Sequence, residues 1–282
     1  MTNRFSPAYF AIFPFFTALL TGSATAGAAM TVCVDEQPHP PYFFADRDGS
    51  VQLLEKMAAM RAGEALEFRR EPNRRCLEDM RINAIDAVAA TSVNSGTLAV
   101  AVFPHKGLGI GLGIGQGIGQ AVDQNRALAV ARTVAFRLKD GSAAWNGTSF
   151  DHLSTRVLVP PGMLLVTQKM DQLGIAYDDG ATDISQIGAK LLAHRAELAI
   201  ALEYDVAELL RLKEFAGKIE IFPVPFTATE YYLAFSREFY AKHAEQAENI
   251  WNAIAATRRS PEFAAALRRE GLPALDLPHP TN

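Results

Sequence analysis

The residues with chemical capacity gather where predicted strands end. Asp35 and Glu36 close a short apolar segment, and Gln-Pro-His-Pro-Pro-Tyr-Phe-Phe follows, carrying Tyr42 and Phe43. Pro38, Pro40 and Pro41 fix φ along that stretch, so a ring presented there loses little entropy when it meets a ligand. Arg74 and Arg75 lie near the start of a helix and are suited to holding an anion. Thr91 and Ser92 offer hydroxyls at the end of a third strand, and Gly162 follows Pro160-Pro161 where exposed amides of a helix opening could face a cleft. Glu203, Tyr204 and Asp205 end a later strand. One of these acids suits a cationic group, and Asp205 serves equally well as a helix N-cap.

These groups suit binding better than catalysis. The six histidines stand singly at 39, 105, 152, 194, 243 and 279, with no helical pair for a metal. There is no G-x-S-x-G elbow and no phosphate-binding P-loop. Asp178-Asp179-Gly180 reads as a turn. Glycine recurs at every second position over 107–119, whereas a dinucleotide loop needs G-x-G-x-x-G, so the run reads as a connector or an irregular excursion. Neither a cofactor nor a metal is expected, and the chain does not read as an enzyme. An acid–base pair of Glu203 with Glu36, as in a small-molecule dehydratase, is the catalytic alternative.

The elements that must position these residues alternate. Strands are expected over 31–35, 66–69, 85–90, 157–160, 175–178, 198–202 and 219–224. Helices are expected over 51–62, 73–82 (opened by Pro72, with Asn73 as a cap), 164–173, 184–195, 206–215, 245–258 and 261–269. Such alternation predicts a parallel α/β sheet. Extended crossings over 127–138 and 230–236 divide it into two lobes, 29–126 with 237–282 and 137–228. The hinge segments are assigned to 127–136 and 229–236, since a chain that leaves a lobe and returns needs two strands side by side.

Residues 1–28 read as a cleavable secretory leader: Arg4, an apolar stretch over 10–20, then Ala24-Thr25-Ala26 or Ala26-Gly27-Ala28 as the cleavage site. The apolar stretch is shorter than the roughly 20 residues a membrane span needs, and no cysteine marks a lipoprotein. The expected location is the periplasm. Removing the leader leaves 26 basic residues against 31 acidic ones, which gives nucleic acid no footing. In an oxidising compartment the two cysteines, Cys33 and Cys76, favour one disulfide, the alternative being two buried thiols.

The stretches CVDEQPHPPYFF, EPNRRCLEDMRINAIDAVAAT, EYYLAFSREFYAKH and IWNAIAATRRSPEF resemble the bacterial extracellular solute-binding protein family 3, the periplasmic amino-acid receptors of ABC transporters. The resemblance covers nearly all of the mature chain. It implies a two-lobe, hinged Venus-flytrap fold and a monomer that closes on a small-molecule ligand between the lobes. It also implies delivery to an ABC permease, with a membrane sensor or accessory role as the alternative. Ligand contacts would come from Glu36, Tyr42, Arg74, Thr91, Ser92, Gly162 and Glu203. Two positions depart from the pattern. Family members that bind amino acids carry an Arg beyond the third strand for the α-carboxylate, but residues 91–98 read TSVNSGTL; and Gly162-Met163-Leu164-Leu165 stands where Ser or Thr is usual. An unpaired carboxylate in a closing cleft costs several kcal/mol. A free α-amino acid therefore fits poorly unless Arg74 or Arg75 substitutes.

Overall fold

A computed structural model describes Met1, residues 29–106 and residues 122–275. The leader and the glycine run lie outside these residues, as does the chain after 275. Among the described residues no helix is long and apolar enough to cross a membrane.

The chain opens with β1 (Met30–Asp35), α1 (Ser50–Ala62), β2 (Leu66–Glu71), α2 (Asn73–Arg81) and β3 (Ala87–Thr91). β1 is flanked in parallel by β2 and β3. Its residues Val32, Cys33 and Val34 are fully buried, as expected for a strand covered on both faces. Then come α3 (Ser95–Val100), β4 (Ala101–Val102) and the long β5 (Ala129–Leu138). His105 and Val122 form an antiparallel bridge, so the chain on either side of the glycine run meets at one point.

The second lobe is built from the hairpin β6 (Ala144–Trp145) and β7 (Phe150–Asp151), then β8 (Val157–Leu158), α4 (Leu164–Leu173) and β9 (Tyr177–Asp178). It continues through α5 (Ile184–Leu192), β10 (Ala199–Leu202), α6 (Glu203–Arg211) and β11 (Ile219–Ile221). β12 (Thr227–Ser236) returns, and α7 (Arg237–Arg258) and α8 (Pro261–Arg269) complete the first lobe.

β5 and β12 carry the architecture. They pair antiparallel from Thr133↔Thr227 to Ala129↔Tyr231. Beyond that stretch they diverge: β12 continues against β3 through Tyr232–Phe235, and β5 continues against β10 through Thr133–Phe136. Each strand thus belongs to one lobe at one end and to the junction at the other. The resulting order is β2-β1-β3-β12-β5-β10-β8-β9.

Each lobe has its own core. In the first, Trp251 of α7 packs 5.0 Å from Phe235, and its indole donates to the Leu233 carbonyl at 2.8 Å. On the opposite face Cys33 and Cys76 are joined, with Cα atoms 5.7 Å apart, tying β1 to α2. In the second, Phe136, Leu209 and Phe215 fill one face of the sheet, and Trp145, Phe226 and Met170 the other. Gly188 has to be glycine, because a Cβ there would sit 2.6 Å from the Phe215 ring.

Several sequence expectations shift. Pro72, not Asn73, occupies the cap position of α2, and Asn73 is its first helical residue. α6 begins at Glu203, so Asp205 stands inside the first turn instead of capping it. α4 begins at Leu164 after Met163, and Gly162 precedes it in a left-handed turn (φ +80°) instead of opening it. α3 and the β6–β7 hairpin fall in stretches for which the sequence pattern predicts no element.

Candidate functional site

A cleft of about 290 Å³ opens where β1 and β3 end, beside the β5–β12 junction. Ligands of open α/β sheets bind at such carboxyl ends. A second cleft of about 240 Å³ adjoins it, and Tyr42 and Leu202 line both.

The proline-rich loop forms one wall. The His39 carbonyl accepts from the amides of Tyr42 and Phe43, and the peptide between Pro40 and Pro41 is cis. The loop is moored to α1, because Ser50 donates to the Pro41 carbonyl through both its amide (2.8 Å) and its hydroxyl (3.1 Å). Phe43 is buried in the first core, and Tyr42, half-buried, is the more accessible of the pair. The Tyr42 hydroxyl donates to the carbonyl of Val130 on β5, 3.2 Å away, and its ring stands edge-on to Tyr231 of β12 at 6.0 Å. Gly49 closes the loop, and a Cβ there would lie 2.0 Å from the Tyr42 oxygen. The site loop therefore contacts both strands of the lobe junction.

The floor is the end of β3. Pairing with β12 slips between Val88↔Ala234 and Thr91↔Tyr232, and Ala90 takes φ +47°. This is a bulge with a non-glycine residue in the left-handed region, a conformation that costs about 1 kcal/mol and turns Thr91 and Ser92 toward the cleft rim. Beyond them Asn94 caps α3. Its side-chain oxygen accepts from the amides of Gly96 (3.0 Å) and Thr97 (3.1 Å), and Thr97 donates its hydroxyl to the Ser92 carbonyl (2.8 Å).

Charge in the first cleft is sparse. Asp35 lines it, with His39 Nε2 at 3.5 Å, and it accepts from the Gln37 amide at 3.1 Å. Burial pushes the Asp205 carboxyl up to about 6, with His39 of the facing loop lowering it and Glu208 raising it. Among the described residues no group of three metal-binding side chains converges.

Of the residues singled out from sequence, Tyr42, Thr91 and Ser92 line the first cleft together, and Glu203 lines the second. Glu36 is exposed and donates its amide to Glu71. Arg74 is exposed on α2, outside both walls. Arg75 is bound to buried Asp79 at 2.9 Å, which Arg69 also reaches at 3.1 Å. Gly162 is exposed, away from both clefts. Glu36 and Glu203 thus do not share a wall. The sequence argument missed His39, Asn94, Tyr231 and, in the second cleft, Arg132. A signal existed for Arg132, a lone charge in the apolar start of β5, and for Tyr231, which falls on the return crossing.

No family model and no curated protein matches this chain. Solved structures do match. A histidine kinase sensor domain with similarity to periplasmic binding proteins superposes at a TM-score of 0.57 with 14% identity, covering 90% of this chain and 99% of that one. The fold is the Venus flytrap. The ligand-binding core of GluR0 from Nostoc punctiforme, in complex with L-glutamate, gives 0.57 with 12% identity over 85% of this chain and 98% of its own. The second substrate-binding domain of a protein assigned as an amino acid ABC transporter of Streptococcus pneumoniae gives 0.55 with 14% identity over 85% and 98%. The two-lobe α/β architecture and its two crossings expected from sequence are those of this fold, but the sheet is mixed instead of parallel, because the crossing strands β5 and β12 run antiparallel to their neighbours.

Proposed function

We propose that the protein is a non-enzymatic periplasmic binding protein that takes a small polar solute, amino-acid-like or related, into the cleft between its lobes. One observation carries this: the cleft lies at the β5–β12 junction, and its walls come from the first lobe (Asp35, Thr91), from β12 (Tyr231) and from the second lobe (Leu202). A ligand touching both lobes favours the closed form, and closure shifts the open–closed population by its differential affinity. The lobes are assigned to 29–126 with 237–282 and to 137–228, hinged at 127–136 and 229–236. Within that frame Tyr42, Thr91 and Ser92 contact ligand, Glu203 faces the adjoining cleft, and Glu36, Arg74 and Gly162 would reach the ligand only through movement of their elements. In this reading the leader exports the protein to the periplasm, where it acts as a monomer and delivers its solute to an ABC-type permease. The similarity to a kinase sensor domain supports a second role for the same cleft, reporting ligand to a membrane sensor.

The test is a thermal-shift screen of amino acids, amines and organic acids, with small-angle scattering on each hit. A ligand at about 100 times its Kd adds about 2.7 kcal/mol to stability and should contract the scattering radius. A screen with no shift and an unchanged radius sinks the proposal. Co-purification with a permease or with a sensor then separates the two roles.

A further inference from the structure

The structure assigns the first cleft to a small organic cation that lacks a carboxylate, an amine or quaternary ammonium, held by Asp35 and the rings of Tyr42 and Tyr231. This inference rests on the solute-binding proposal and narrows its ligand. Three sets of observations support it.

The first is the set of anion-holding groups, most of which are committed elsewhere. The first amides of α3 are taken by Asn94. On α2 the amides of Arg75 and Cys76 turn back to the Pro72 carbonyl at 2.7 and 3.1 Å. The Arg75 guanidinium is held by Asp79, and Arg74 stands outside the cleft. The second is the charge that remains in the wall. Asp35 is the one carboxylate lining the cleft, no lysine or arginine lines it, and the group nearest that carboxylate is the half-exposed imidazole of His39 at 3.5 Å. The third is ring geometry. Tyr42 and Tyr231 are perpendicular, at 89° and 6.0 Å between centroids, and both line the cleft, so a cation bound there lies against aromatic rings. The volume suits a ligand at the small end of the range for such sites.

The adjoining cleft is lined by both Arg132 and Glu203, so a carboxylate-bearing ligand would be read there. A zwitterion bridging both clefts would have to pass Tyr42 and Leu202, which form their shared wall.

Calorimetry of the full mature chain with tetramethylammonium, butylammonium, butyrate and L-glutamine decides between these. The expected result is binding of the two cations only, weakened about tenfold or more by Asp35→Asn through loss of one charge-assisted contact. Tyr42→Phe keeps the ring and should retain cation binding; Tyr231→Leu removes one face and should weaken it. Circular dichroism of each variant excludes misfolding as the cause. Binding of L-glutamine or butyrate in preference to the amines, abolished by Arg132→Gln, overturns the cation assignment and leaves a solute-binding protein. Cation binding unaffected by Asp35→Asn overturns it as well. No binding of any probe, with an unchanged radius across the wider screen, overturns both.

Discussion

Asp205→Asn should stabilise the protein at neutral pH and leave it unchanged in acid. Burial on the first turn of α6 raises the Asp205 carboxyl from 3.8 to about 6. The folded state therefore holds this proton more tightly than the unfolded chain does. Between those two values the folded protein binds more protons, so stability falls as pH rises from about 4 to about 6 and stays lowered above. A shift of about two units corresponds to about 3 kcal/mol, and access of water to one side of the carboxyl reduces that to about 2 kcal/mol. Asparagine has the same shape and no charge to desolvate. The assay is urea unfolding followed by the fluorescence of the buried Trp145 and Trp251, at intervals from pH 3.5 to 7.5, for both proteins. Taking the difference removes the acid loss common to both, which comes from groups such as Asp178 and Glu197 whose carboxyls hydrogen bonds hold low. The gap should be near zero at pH 3.5 and reach about 2 kcal/mol by pH 7. A gap that does not vary with pH, or one of opposite sign, refutes burial of a charge as the cause.

Replacing Cys33 and Cys76 by serine should cost about 4 kcal/mol, the entropy of closing a 43-residue loop in the unfolded chain, read as a lowered urea midpoint. Gly49→Ala must push the Tyr42 carbonyl aside from 2.0 Å, and overpacking of this kind should cost roughly 1–3 kcal/mol, together with loss of cleft binding by calorimetry. Ala90→Gly relieves the left-handed backbone in β3 and should raise stability by roughly 0.5–1 kcal/mol, less than the full strain because glycine also loosens the unfolded chain. A melting temperature lowered by that change would mean that the Ala90 methyl packs more than the bulge strains.

Periodicity made the helices that pack on one face legible in the sequence. α4 and α8 begin and end at the residues their patterns predict, because Gly174 terminates one and Ser260-Pro261 starts the other. α6 was displaced by three residues, since its first turn carries Glu203, Tyr204 and Asp205 in place of an apolar stripe. α3 was missed for a similar reason: six residues held by the Asn94 capping box show little periodicity. The two crossings were visible as extended runs, and a chain that leaves a lobe and returns implied that they lie side by side; their register, Ala129–Thr133 against Thr227–Tyr231, is a contact across about a hundred residues that no local pattern encodes.

The same limit explains the site. Tyr42 could be found because its own neighbours, three prolines and a buried Phe43, announce a rigid loop. Whether Arg74, Arg75 or the amides of α3 could hold an anion depended on partners that only folding brings together, and those partners prove to be Asp79 for Arg75 and Asn94 for the amides. A sequence lists donors; the fold decides which of them are still unspent when the ligand arrives. The first cleft is lined by one carboxylate, Asp35, and by no lysine or arginine, so the absence of an arginine after the third strand fits a ligand with no carboxylate to receive.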